Sequence, residues 1–243
     1  LMHVCGTHQD TLMKSGLDTE FQRVGVDIRQ GPGCPVCVTP PKEIEEVLAL
    51  ARAGVTITAF GDVMKVPGEE GSLNDAKAEG ADVRIVFGVD DAVALARKTR
   101  KEVVCMGIGF ETTAPTTASA LLSVPPENFS VISCHRTVPP ALAAIAGMGE
   151  VRLQGMIQPG HVSAIIGTKP YEFLSRQYRV PQVVAGFEPL DLMMGVYMLA
   201  RQVREGRAEV ENEYSRVVHA DGNPSAVKAI DDVFEPSDVL WRG

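Results

Sequence analysis

Val55-Thr56-Ile57-Thr58-Ala59-Phe60, closing at Gly61-Asp62, is an apolar and β-branched run of strand length ended by turn residues. A run of this kind reads as a strand buried on both faces, which is the signature of a parallel sheet. The same pattern recurs outward from it. Residues 83–87 form a second such run, followed by a helical pattern over 90–98. Residues 103–108 start a third, followed by a helical stretch over 115–122. Residues 129–133 read as a strand and 139–146 as a helix opened by prolines. Short strands follow at 155–157 and 183–185, and the longest helical pattern covers 190–204. Within it Leu190, Met193, Met194, Tyr197 and Met198 recur at helical spacing, and this stripe is expected to pack in a core. Strand–helix alternation indicates α/β layers around parallel sheets.

The chain has 243 residues, suited to one large domain or two small ones at about 150 residues each. The charged segment 96–102 is the expected seam. It divides the chain into a first α/β domain over 1–99, a second over 100–206, and a connecting segment over 207–243. With 23 basic and 31 acidic residues the net charge is −8, which argues against a binder of nucleic acid or anionic membrane. Apolar residues make up 45% and charged residues 22%, so global disorder is excluded. No stretch approaches the roughly 18 apolar residues of a membrane helix, and the first residues lack the pattern of a signal peptide. The chain opens with Leu1 inside what reads as a strand, and is expected to be a piece of something longer.

Five cysteines, an odd number, argue against a disulfide framework and for a reducing cytoplasm. Cys5 and His8 are three positions apart, as are Cys34 and Cys37. Gly31-Pro32-Gly33 and Pro35 supply the turns that let each pair converge. Thr39-Pro40-Pro41-Lys42-Glu43 reads as a helix start with Thr39 as N-cap. Its partial positive charge would favour a Cys37 thiolate. Four readings stay open: a closed zinc site of Cys5, His8, Cys34 and Cys37; a Cys34/Cys37 thiol–disulfide pair; an iron site with open positions; or a second pair acting beside an inert Cys5. The 25 residues between His8 and Cys34 exceed the usual gap between zinc-ligand pairs, about 12 to 20.

Other candidates lie at strand ends. Asp62 and Lys65 share the loop Gly61-Asp62-Val63-Met64-Lys65-Val66-Pro67-Gly68. Gly109-Phe110-Glu111 and Gly186-Phe187-Glu188 are an internal echo, each between a strand and a helix. Each glutamate either caps its helix or faces the crevice where parallel sheets bind ligands. Pro159-Gly160-His161-Val162 puts a histidine in a turn after a strand. Gly107-Ile108-Gly109 lacks the third glycine of a dinucleotide loop, since Thr112 stands there. Cys105 reads as core, and Cys134-His135-Arg136 as structural.

Taken together, Cys5-Gly6-Thr7-His8, Gly31-Pro32-Gly33-Cys34-Pro35-Val36-Cys37-Val38-Thr39-Pro40, Gly61-Asp62 with Val66-Pro67-Gly68, Gly109-Phe110-Glu111-Thr112-Thr113-Ala114-Pro115, Pro159-Gly160-His161-Val162 and Trp241-Arg242-Gly243 resemble the HypD family of hydrogenase maturation factors. The resemblance runs nearly end to end. It implies two Rossmann-like α/β domains with parallel sheets flanked by helices, a cleft between them faced by the motifs, and a third, iron–sulfur domain. It also implies a scaffold on which the iron of nickel–iron hydrogenases receives its ligands as Fe(CN)2CO, working with the small chaperone HypC and the cyanide donor HypE. On this likeness Cys5 and His8 lie near the iron, Cys34 and Cys37 are the redox-capable pair, and Asp62, Glu111 and His161 face the cleft. The family continues past Trp-Arg-Gly into a cysteine-rich segment that binds a four-iron–four-sulfur cluster. The chain stops at Gly243, so it is expected to lack that cluster's ligands. Lys65 stands where arginine is expected in many relatives, which keeps charge and loses bidentate hydrogen bonding. The rivals remain a free-standing thiol–disulfide oxidoreductase and a zinc-stabilised module.

Overall fold

The computed structural model describes residues 1–149 and 153–242; Gly243, the last residue of the Trp-Arg-Gly motif, lies outside them. The first third of the chain forms β1 (Met2–His3), α1 (Gly6–Ser15), α2 (Leu17–Arg23), β2 (Arg29–Gln30), α3 (Pro35–Val38), α4 (Pro41–Arg52), β3 (Thr56–Ala59) and α5 (Leu73–Ala78). Then come β4 (Val83–Ile85), α6 (Val89–Ala96), β5 (Val103–Gly109), α7 (Ala114–Leu122), β6 (Phe129–His135) and α8 (Val138–Gly147). The last are β7 (Met156–Pro159), α9 (Gly160–Ile166), α10 (Glu172–Tyr178), β8 (Gln182–Ala185), α11 (Pro189–Glu205), β9 (Val210–Asn212) and α12 (Pro224–Val233). Every strand pair is parallel, in two sheets flanked by helices. Among the described residues no helix is long and apolar enough to cross a membrane.

The chain divides into two compact units, and both are discontinuous. Unit 1 is Leu1–Cys34 with Thr137–Val227; unit 2 is Pro35–Arg136 with Lys228–Gly243. This differs from the expected division at 99/100. The charged stretch there joins α6 to β5 inside unit 2, and β5 pairs directly with β3 from the other side of the supposed seam. Charge marked an exposed loop within one sheet, where the pairing of non-adjacent strands decides membership.

Unit 2 carries the sheet β4-β3-β5-β6. β5 is buried at all seven positions, and its side chains alternate between two cores. Val104, Met106 and Ile108 join Ile44, Leu48 and Ile57 on one face. Val103 and Cys105 join Val89, Ala92 and Phe129 on the other. Helices cover both faces, as a parallel sheet requires. Each fully buried aliphatic side chain contributes about 1.5–3 kcal/mol.

Unit 1 carries the sheet β2-β1-β7-β8-β9. One face packs Ile157, Val183 and Ala185 against Leu12, Phe21, Leu192, Val196 and Leu199 of α1, α2 and α11. Only that side of α11 is buried. Leu190, Met193, Met194 and Tyr197 are 69%, 48%, 44% and 61% exposed, so four of the five residues of the expected core stripe face solvent, while Met198 is half-buried against the core. The core side is drawn by Leu192, Gly195, Val196 and Leu199, one residue out of phase with the methionines.

Candidate functional site

In both units the sheet order reverses direction beside its first strand. The chain runs from β1 to β2 on one side and resumes with β7 on the other; likewise β3 is flanked by β4 and β5. Such a reversal leaves a crevice at the carboxyl ends of the two flanking strands, where ligands of open α/β sheets bind. The sequence candidates cluster at these two places.

In unit 1, Cys5 follows β1 and His161 follows β7. Their Sγ and Nδ1 atoms are 3.9 Å apart. Cys5 is the N-cap of α1 and is buried. Burial pushes its thiol pKa up. The Thr7 and His8 amides and the Thr7 hydroxyl, facing the sulfur without closing a cap hydrogen bond, pull the other way. Burial also lowers the pKa of His161.

His8, one turn into α1, is fully buried. Its Nε2 lies 2.9 Å from the carbonyl of Gly186, so that nitrogen carries the proton. Its Nδ1 has no hydrogen-bond partner. Burial, followed by the charge of His3, pushes its pKa down to about 4. His8 is therefore a neutral imidazole, oriented through one nitrogen, with a free lone pair on the other. Histidines that ligate metals are oriented in the same way, by a hydrogen bond from the other ring nitrogen to a carbonyl or carboxylate.

Phe187 links the two imidazoles. Its ring centroid is 5.2 Å from His8 and 5.2 Å from His161. Tyr214 meets Phe187 edge-on at 6.0 Å, and Arg216 lies 4.3 Å over the Tyr214 ring. The glycines of two motifs make room here. A Cβ at Gly160 would come within 2.7 Å of Tyr214, and one at Gly186 within 2.7 Å of Tyr214 while overlapping Asp191. Gly33 serves Cys5 in the same manner, since a Cβ there would overlap the Val4–Cys5 main chain. The loop before Cys34 thus lies against the Cys5 backbone, with the Gly6 amide donating to the Gly33 carbonyl at 3.4 Å.

Glu188 takes the capping role. It is the N-cap of α11, in a capping box with Asp191. Arg216 pairs with Asp191 at 2.7 Å. Burial, the largest single influence, disfavours the Asp191 carboxylate, but the Arg216 hydrogen bond and charge together with the Glu188 and Phe187 amides outweigh it and lower the pKa.

In unit 2, Asp62 follows β3 and Glu111 follows β5. A cavity of about 300 Å³ opens here, lined by Pro35, Val36, Phe60, Asp62, Phe87 and Thr113 among others. Asp62 is exposed at its mouth, and Glu111 is buried. Unlike Glu188, Glu111 is not a cap, because the N-cap of α7 is Thr113. Pro35 and Val36 lie between Cys34 and Cys37, so the wall of the cavity is the interior of that motif.

Cys34 and Cys37 are disulfide-bonded, whereas Cys5, Cys105 and Cys134 are free. Among the described residues no three His, Cys, Asp or Glu side chains are grouped to hold a metal ion. The closed zinc set of Cys5, His8, Cys34 and Cys37 is therefore not formed, because two of its thiols are spent on each other. The helix start after Cys37 also differs from expectation. Pro40 is the N-cap of α4, and the Thr39 hydroxyl donates to the Pro35 carbonyl at 2.8 Å, closing the separate short helix α3. Pro41 at the first helical position has no N–H, which removes one of the unpaired donors of that turn.

Sequence reasoning missed His3 and Tyr214. His3 is buried edge-on to His8 at 6.1 Å, with Nε2 on Gln9 at 2.8 Å. Its alternation with Cys5 along a strand was the available signal. Tyr214, distant in sequence, offered none.

The family model named HypD, described as "Hydrogenase formation hypA family", matches residues 1–243. A Methanocaldococcus jannaschii protein named for hydrogenase expression and formation is 48% identical over all of this chain and 68% of its own length. Proteins named Hydrogenase maturation factor HypD from Rhodobacter capsulatus and Escherichia coli are 46% and 45% identical over all of this chain and 66% of theirs. The chain thus spans about two thirds of the length of the curated relatives it matches.

Proposed function

The chain belongs to the HypD family of hydrogenase formation proteins, and on that premise we propose that it is a maturation scaffold on which the iron of a nickel–iron hydrogenase is held while its cyanide and carbon monoxide ligands are attached. Iron is the cargo. Cys5 is the thiolate that holds it, and His8 and His161 are the neutral imidazoles beside it. The supporting observation is the buried cluster at the reversal point of the unit 1 sheet: Sγ of Cys5 3.9 Å from Nδ1 of His161, and His8 with an unpartnered Nδ1. A soft thiolate with few protein donors suits low-spin iron(II), because positions stay open for strong-field ligands. Cys5 must lose its proton on loading, so binding strengthens as pH rises.

Cys34 and Cys37 supply the redox function in this reading. Reduction of their disulfide takes up two electrons and two protons from a dithiol, and closing returns them. Asp62 and Glu111 belong to the crevice of unit 2. The partners are a small chaperone of the HypC kind and a cyanide donor of the HypE kind, and the setting is the cytoplasm. The disulfide also favours the second reading, a thiol–disulfide oxidoreductase that acts without metal.

Iron-edge X-ray absorption on the chain loaded anaerobically with iron(II) separates the two. Scaffolding predicts a sulfur neighbour to iron that disappears in Cys5→Ser and persists when Cys34 and Cys37 are both serine. A spectrum indistinguishable from free iron(II) would leave only the redox reading.

A further inference from the structure

Among the described residues the stretch after α12 contains no helix or strand, yet Leu240, Trp241 and Arg242 are tied into unit 2. The Leu240 carbonyl accepts a hydrogen bond from Arg136 at 3.3 Å. Trp241 stacks on Phe110, with centroids 5.8 Å apart and planes 18° from parallel. The Arg242 amide donates to the Val38 carbonyl at 2.8 Å. Further back, Phe234 packs on His135 at 5.3 Å.

Arg136 is the anchor of this strap. It is buried, and besides Leu240 it donates to the Cys134 carbonyl at 2.8 Å and to the Glu43 carboxylate at 2.5 Å. Glu43 lies in the first turn of α4, and Val38 directly follows Cys37. The segment 38–43, which leads away from the cysteine pair, is therefore gripped at both ends. Arg242 holds one end through the backbone, and Arg136 holds the other through Glu43. A buried arginine whose donors go to three separate segments fixes those segments relative to one another.

We propose that residues 240–242 are a positioning clamp for the Cys34/Cys37 pair, seated while the pair is a disulfide and loosened when it is a dithiol. The strap acts on the pair through Val38, whose carbonyl accepts the Arg242 amide. α3 is a helix of only four residues. Breaking the sulfur–sulfur bond frees Cys37 and lets the Val38 carbonyl move away from the Arg242 amide. By linkage, whatever the strap contributes to the disulfide form opposes reduction, and reduction weakens the strap to the same extent. The chemistry is the two-electron, two-proton uptake from a dithiol already described. The clamp rests on the proposed function only in taking the pair as redox-active, and its test involves no iron.

The test equilibrates the full chain with dithiothreitol redox buffers and reads the Cys34/Cys37 state by alkylation and mass spectrometry. Trp241→Ala removes the stack, and Arg242→Pro removes the amide donor. Each is expected to shift the equilibrium about tenfold toward the dithiol, which is about 30 mV for a two-electron couple. Trp241→Phe, which keeps a stacking ring, is expected to stay near wild type. Equilibria within twofold of wild type in both Trp241→Ala and Arg242→Pro would overturn the proposal. Because a variant can fail to fold, hydrogen exchange at the Arg242 amide of the wild type is a second measurement. Exchange at least several-fold faster in the reduced protein is expected, and equal rates would overturn the clamp.

Discussion

Sγ of Cys5 lies 3.9 Å from Nδ1 of His161, although 156 positions separate them in the chain. Parallel sheet order brings them together. Met2 and His3 of β1 pair with Met156 and Ile157 of β7, so the turns leaving both strands open at the same edge. The site is thus a consequence of strand pairing, and whatever disturbs the β1–β7 edge disturbs it.

The glycine before the cysteine pair tests this dependence. A side chain at Gly33 would overlap the Val4–Cys5 main chain, whereas one at Gly6 meets nothing within 4 Å. Gly33→Ala should cost about 1–3 kcal/mol, in the range of overpacking elsewhere. Gly6→Ala, in the first turn of α1, should leave stability unchanged or raise it by up to about 1 kcal/mol. Urea unfolding of the two variants checks the contrast, and an equal effect of both would contradict it.

The two faces of α11 should respond oppositely. Leu192 is fully buried against the unit 1 sheet, and Leu192→Ala should cost about 2–5 kcal/mol. Met193, next in sequence and half exposed, should tolerate Met193→Ser within about 0.5 kcal/mol. Thermal melts of the pair read the difference directly.

His135 makes unit 2 sensitive to acid. Burial, then the Arg136 charge, holds its pKa down to about 4, against 6.5 in an unfolded chain. The unfolded state therefore binds the extra proton first. Its contribution is intact above pH 6.5 and is lost as pH falls toward 4, by about 1.4 kcal/mol per pH unit at most. His135→Gln should flatten that part of the stability–pH curve. A variant with the same acid slope as wild type would show that other groups set it.

Much of the fold was legible because parallel strands buried on both faces must be apolar throughout. β3 and β5 announce themselves in this way, and both are buried along their whole length. What sequence could not show is which strands pair. Hence the seam drawn at the charged loop 96–102 fell inside one sheet. The methionine stripe of α11 misled for a related reason, since apolar spacing identifies a face and only packing decides whether anything covers it. In the site, the motif residues were visible, but the approach of His161 to Cys5 was not. Phe187 was visible as part of a repeated Gly-Phe-Glu. Its place between His8 and His161 needed three strand ends to meet.

The most direct test of the scaffold is infrared spectroscopy of the chain prepared anaerobically with its HypC-type partner. A scaffold that holds iron through Cys5 gives bands in the cyanide and carbon monoxide stretching region for the wild type, and loses them in Cys5→Ala. Bands of undiminished intensity in Cys5→Ala, or none in the wild type with iron present, would contradict it.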